Sequence, residues 1–458
     1  MEKSEKVKIP PKQKRNKDIS KEELLNFSKE DLVERILQLE AHNAQLKNII
    51  SRNLSDNEES NIKNKKQFDF TKCHYRRILL KVLYFGWDYH GLAVQEDTAQ
   101  TIEHHLFRAF TKTCLIQSRE TSQYHRCGRT DKGVSAFGQV ISITVRSKHP
   151  KSSQNLPESL SSEMPYCKIL NRVLPKDIRA VAWMPIPEDT PEYSARFDCK
   201  KRKYKYYFPK SNLNIDKMRE ACSLLIGSHD FRHLCKMDVG NGVTEFRREI
   251  LTADIIPIIE GDDPTSMYAL VIEGNAFLWH QIRCIMGVLL LIGEGREETN
   301  IVRKLLDVET KLRKPQYNMA IDIPLNLFHC TYDLEKSTEW VYDKEELKTV
   351  IANLQQMWTS HNIKTTMIKD CIENLDAIFH TLNIDKEIDS SIENQKAETE
   401  IADKESNMLE RESIMAYTEG LIQGVRSRKY VPLAKREVCL SLEERIDHHM
   451  KKRKLINK

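Results

Sequence analysis

No two of the eleven cysteines are spaced as a Cys-x-x-Cys pair. An odd, scattered set argues against a disulfide framework or a zinc ribbon, and for reduced thiols in the cytosol or nucleus. No metal site is expected. Also missing is the apolar stretch of a secretory signal, because the chain opens on "MEKSEKVKIPPKQKRNK". The longest apolar run, "CIMGVLLLIG", is about half the ~20 residues a bilayer-crossing helix requires, so no membrane association is expected. Single-signed charge is lacking too: the formal net charge is only +5. A polyanionic partner therefore has to be argued from where the cations sit rather than from their sum. What is present is a chain of 458 residues, 40% apolar and 30% charged. That is enough for two or three folded units with solvated segments beside them. A soluble intracellular protein is expected.

Residues 1–20 are basic and read as a disordered tail. Over 21–53, Leu25, Leu32, Leu39 and Leu46 recur every seven residues, with Ile36, Asn43 and Ile50 at the other seam position. This predicts a heptad helix, either lying on the folded body or self-associating, with Asn43 placed to fix register. Ser28 and Asp31 resemble a capping box at its start. Residues 54–73 form a polar linker. From residue 74 strands alternate with helices: "RRILLKVLYF" as a strand, a helix capped at Thr101, then strands at "GQVISITV" and "IRAVAWMPIP". A loop insertion is expected at 147–168. The second stretch repeats the theme, with a basic strand "KRKYKYYFP", a helix at "IDKMREACSLLIG", two strands, and an apolar helix in "LWHQIRCIMGVLLLIGEGR". The pattern predicts an α+β fold of two similar units side by side, 74–195 and 196–335. A helical extension (336–384), an acidic linker (385–412) and a helical segment with a basic tail (413–458) complete the layout. The basic tail reads either as a nuclear-import signal or RNA contact, or as a solvated terminus.

The stretch "YHRCGRTDKGVSAFGQVIS" sets one acid, Asp131, among His125, Arg126, Arg129 and Lys132. A tight surface turn would account for the glycines and for an aspartate bonded to its own backbone. The cations favour another reading. They keep the carboxylate ionised and attract phosphates, which suits a nucleophile or base acting on a nucleotide.

"CGRTDKGVSAFGQVIS" resembles the catalytic loop of the TruA family of tRNA pseudouridine synthases. Three further segments resemble that family's motifs in its order: "ARFDCKKRKYKYYF", "EGNAFLWHQIRCIMGVLL" and "IPLNLFHCTYD". The resemblance covers about residues 74–335. It implies two RRM-like halves with antiparallel sheets around a basic cleft, tRNA as substrate, a homodimer and no cofactor. It also implies Asp131 as the catalytic carboxylate, Tyr204 facing the target base, Arg283 pairing with the aspartate, and Leu327 under the base. "YFGWDYHGLAVQ", with Phe85, and "GSHDFRHLCKMD" resemble the eukaryotic branch that acts on uridines 38 and 39 of the anticodon arm.

Each assignment has a plainer alternative. Arg283 lies in an apolar helix, where its stem packs and its head either reaches water or needs a carboxylate, for which Asp131 is the natural candidate. Such pairing would hold the Asp131 pKa low. Tyr204 alternates with cations, fitting base stacking between phosphate contacts, or simple strand propensity. Arg129 is expected to enter the gap left by a flipped-out uridine, and Arg126, Lys132 and Arg202 to meet backbone phosphates; any of them also reads as a solvated charge. Leu327 reads most simply as a core leucine of an edge strand. Phe231 and His233 read as RNA contacts or as a helix-ending turn. Nucleus and cytoplasm are both expected as compartments. A non-catalytic RNA chaperone on the same fold, a scaffold assembling through residues 25–50, and a family member acting on other uridines are the competing functions.

Overall fold

The computed structural model describes residue 40, residues 68–390 except 155, 260, 262, 311, 312 and 337, and residues 417–456 except 425–428. The basic N-terminal tail, all but one residue of the heptad segment, and most of the acidic linker lie outside the described residues. No described helix is long and apolar enough to cross a membrane.

The fold is mixed α/β around one mostly antiparallel sheet. Its strands are β1 (His74–Tyr84), β2 (His125–Arg126), β3 (Ser135–Ser147), β4 (Ile178–Pro185), β5 (Cys199–Pro209), β6 (Gly227–Asp230), β7 (Arg247–Pro257), β8 (Met267–Gly274) and β9 (Leu325–Tyr332). They run in the order β4-β1-β3-β9-β5-β8-β7-β6, with β2 paired to β3. Helices α1 (Ile102–Lys112), α2 (Lys151–Gln154), α3 (Pro157–Ser161) and α4 (Tyr166–Asn171) belong to the first half. Helices α5 (Ile215–Ser223), α6 (Gln281–Gly293) and α7 (Ile301–Leu306) belong to the second. Two more follow, α8 (Lys344–Ser390) and α9 (Leu442–Ile456). The stretch read as a loop insertion thus carries short helices.

Local chemistry explains the main boundaries. The Thr101 side chain accepts from His104 N and starts α1; Asn214 does the same for α5 through Lys217 N. Helix α6 is apolar on nearly every face, and every residue except Leu291 is buried, as such a helix requires. Two cores result. Ile78, Leu80, Phe110, Ile141 and Tyr166 anchor one; Tyr206, Phe208, Met218, Ile272 and Leu289 anchor the other.

The seam between the halves is the pairing of β3 with β9. It is the one parallel ladder among the described strands and has two register pairs, Ser135↔Asn326 and Ala136↔Leu327. A Cβ on Gly138 would stand 2.6 Å from Phe328 O, so only glycine permits this approach. Because β9 lies between β3 and β5, Leu327 is not on an edge strand. It is fully buried in a central one, opposite Tyr204. A lone sequence stretch does not reveal that placement, since β9 finds its neighbours about 120 and 190 residues upstream. Phe231 and His233 are buried at the 3-10 turn Arg232–Leu234.

Candidate nucleic-acid site around Asp131

The loop between β2 and β3 is fixed from three sides. Leu92 N donates to Thr130 O (3.1 Å) and Gly133 N to Tyr89 O (3.1 Å). The Tyr84 hydroxyl of β1 meets Thr130 Oγ1 at 2.7 Å, and Gln139 Nε2 of β3 donates to Gly128 O at 2.9 Å. Gly133 closes the loop at φ +77°, and a Cβ there would stand 2.9 Å from Asp322 Cγ. Asp131 is therefore presented on a rigid loop with its carboxylate partly open.

That carboxylate meets residues of the other half. Trp279 Nε1 donates to Oδ1 at 3.3 Å, and His280 Nε2 lies 3.3 Å from Oδ2. His280 has left-handed backbone, φ +58°, at the N-cap of α6, an uncommon conformation for a residue with a Cβ. Burial, with Arg283, Lys236 and Lys314 nearby, pushes its pKa down to about 4. At neutral pH it meets Asp131 as a neutral imidazole, so the approach is a close polar contact rather than an ion pair. Lys236 Nζ stands 4.3 Å over the Trp279 ring.

Arg283 does point inward and is 4% exposed, but it makes no contact with Asp131 inside ion-pair distance. Its Nε donates to Ala320 O at 2.8 Å, Nη2 donates to Gln423 Oε1 at 3.1 Å, and Nη2 lies 3.9 Å from Asp322 Oδ2. It acts on Asp131 through space. Burial raises the Asp131 pKa above the ordinary carboxylate value; Arg283, the Trp279 hydrogen bond and Lys236 oppose the rise, while Asp322 adds to it. The direction is opposite to that expected from a direct guanidinium pair, because burial outweighs cations that stand off the carboxylate.

Tyr204 lies where the two cores meet and packs against both. Its ring stands edge-on to Phe277 with centroids 5.2 Å apart, and Leu327 and Ile272 face it across the ladders. No hydrogen bond joins it to Asp131. The basic residues divide into two groups. Arg126 is committed to Glu103, whose buried carboxylate also takes Arg119 at 3.2 Å and the Tyr124 hydroxyl at 2.9 Å. Arg202 donates to the carbonyls of Cys127 (3.2 Å) and Arg196 (3.0 Å). Both are tied into the fold instead of standing free for phosphates. Arg129 and Lys132 are exposed and form no ion pair among the described residues. They border a cleft of about 430 Å³ that also reaches Asp131, Arg119 and Arg126. That volume lies in the range of small-ligand sites.

Sequence reasoning missed Trp279, His280, Lys236 and Asp322. Trp279 and His280 immediately precede the helix bearing Arg283, so their nearness to it was available. Their contact with Asp131 was not, since Trp279 is 148 positions further along the chain.

Residues 221–333 match a family model described as tRNA pseudouridine synthase. The chain is 41% identical over 440 residues to the tRNA pseudouridine(38/39) synthase of Mus musculus, covering 93% of this chain and 87% of that protein. It is 40% identical to the Homo sapiens protein of that name, covering 92% and 88%, and 42% identical to the Saccharomyces cerevisiae one, covering 67% and 71%.

Proposed function

The chain belongs to the tRNA pseudouridine synthase family and is an isomerase acting on tRNA, and from that premise we propose that it converts uridine to pseudouridine at positions 38 and 39 of the anticodon arm with Asp131 as the reacting carboxylate. One observation carries the reading: a partly open carboxylate on a rigid loop, gripped by Trp279 and His280 at the mouth of a basic cleft. The reaction breaks the N1–C1′ bond of uridine and rejoins C1′ to C5. Atoms balance within the nucleotide, so neither a redox partner nor a group donor takes part. The ionised Asp131 attacks the ribose or base, or takes a ribose proton. The Trp279 donor fixes its orientation, and neutral His280 stands beside it, without neutralising it. Arg283 and Lys236 supply positive potential across the site without quenching the nucleophile in a direct pair.

A uridine in a folded arm leaves its stack at a cost of a few kcal/mol. Arg129, exposed at the cleft edge, fills the gap; Lys132 meets the neighbouring phosphate. Tyr204 faces the detached uracil, with the buried Leu327 packed opposite it in the sheet. Arg126 and Arg202 act as struts for the loop and for β5. The two halves of the sheet correspond to RRM-like units, the first lining this cleft and the second bringing Trp279 and His280 to Asp131. The protein works as a homodimer, supported by the heptads at 25–50 and by exposed Ile351, Trp358 and Ile372, multiples of seven apart on α8. The basic termini fit residence in both nucleus and cytoplasm.

The test is pseudouridine mapping on unmodified tRNA incubated with the purified full chain. Modification at 38 and 39 is expected. Modification at other positions would overturn the site assignment, and none at all would overturn the activity.

A further inference from the structure

Three cysteines that the sequence scatters come together inside the fold. Cys127 follows β2, Cys199 opens β5 and Cys330 lies in β9. Their sulfur atoms all lie within 4.8 Å of one another, and the Cys127 and Cys330 sulfurs are 3.3 Å apart. All three residues are buried. With metal–sulfur bonds of about 2.3 Å, the sulfurs of a tetrahedral thiolate site stand roughly 3.8 Å apart. The triangle found here therefore takes an ion with shifts of about 1 Å or less.

Charge decides which ion. The guanidinium of Arg202 is bonded to the carbonyls of two of the three cysteines, Cys127 at 3.2 Å and Cys199 at 3.4 Å. A fixed cation thus stands against the cluster. A divalent ion with three thiolates carries one net negative charge, which one arginine offsets. A monovalent ion would carry two, leaving an uncompensated buried charge. An all-sulfur donor set disfavours magnesium, calcium and manganese. Enclosure and the lack of an open face fit a structural ion instead of a catalytic one.

We propose that Cys127, Cys199 and Cys330 hold one thiophilic divalent cation of the zinc class. The Tyr332 hydroxyl, which donates to Ala195 O at 2.7 Å and neighbours Cys127, completes the fourth position. On binding, three S–H bonds break, three sulfur–metal bonds form and three protons pass to solvent. The ion ties the entry of the Asp131 loop, four residues before the carboxylate, to β5 and β9 of the other half. The local spacing gives no hint of this site, because each ligand comes from a different strand or loop. The inference does not depend on the activity proposed above.

The experiment is zinc analysis of the full chain, purified under reducing conditions without chelator and passed through gel filtration after equilibration with zinc. About one zinc per chain is expected. It should fall to near zero in Cys127→Ser, Cys199→Ser and Cys330→Ser, and persist in Cys371→Ser, whose cysteine is exposed on α8. Should the three variants fail to fold, cadmium titration of the unaltered chain gives a second readout. A thiolate-to-metal charge-transfer band with the intensity of three sulfurs, and a melting temperature that rises with zinc, are expected. An unaltered chain that retains no zinc and shows no such band would overturn the proposal. So would zinc that survives loss of two of the three cysteines.

Discussion

At Asp131 burial and charge pull in opposite directions, and its neighbours resolve the conflict without a salt bridge. Trp279 orients the carboxylate by a hydrogen bond and neutral His280 stands 3.3 Å from its other oxygen, while Arg283 and Lys236 act from farther off. The His280 pKa of about 4, against 6.5 for a free imidazole, makes this arrangement pH-dependent. Between those values the unfolded chain takes up a proton that the folded chain refuses, so stability is lost as pH falls from about 6.5 to about 4. His233, also pushed down to about 4 by burial, adds to the same window. Each contributes on the order of 3 kcal/mol at the acid end. His280→Asn keeps a residue that tolerates left-handed backbone but removes one titrating group. Denaturant titrations at pH 7 and pH 4.5 should give a smaller stability difference for the variant than for the unaltered chain; equal differences would mean that His280 is already protonated in the fold. The residue types at this centre were legible in the sequence: Asp131, Tyr204 and Arg283 were all singled out. Their partners were not. Arg283 bonds Ala320 and Gln423 and lies 3.9 Å from Asp322, and Arg126 pairs with Glu103, because side-chain pairing across the sheet is set by tertiary register.

Among the elements, the β3–β9 seam has the most leverage for the least contact. Two register pairs align the strand that follows Asp131 with the strand facing Tyr204. Gly138 lets the strands close, since any Cβ would meet Phe328 O at 2.6 Å and His329 Cα at 2.9 Å. Gly138→Val should destabilise the fold by roughly 1–3 kcal/mol, as overpacking does. It should also lower isomerisation more than tRNA affinity, since it moves the two sides of the site apart while leaving the surface cations in place. Melting curves with single-turnover assays and filter binding would check both; equal losses of rate and affinity would argue against a seam that aligns the chemistry. Periodicity and caps made β1, β5, α1 and α6 readable from sequence to within a few residues. They did not reveal that β9 is central, because its short apolar stretch fits an edge strand as well as a seam.

For the whole molecule, modest net charge conceals a local concentration of cations around one cleft. Binding of tRNA should weaken as salt rises, with log affinity falling linearly in log salt concentration. Lys132→Ala and Arg129→Ala should each reduce that slope by about one ion. Arg126→Ala should act chiefly through stability, since it leaves the buried Glu103 short of a partner. An unchanged slope in both Lys132→Ala and Arg129→Ala would remove the phosphate role from this cleft. The central claim concerns chemistry at a single carboxylate, and a paired measurement on Asp131→Ala tests it most directly. Single-turnover pseudouridine formation and equilibrium tRNA binding are compared with the unaltered chain under the same conditions. The account predicts unchanged affinity and a rate lower by at least ~10²-fold, within the range for loss of a catalytic acid or base. Pseudouridine formed at an undiminished rate would contradict it.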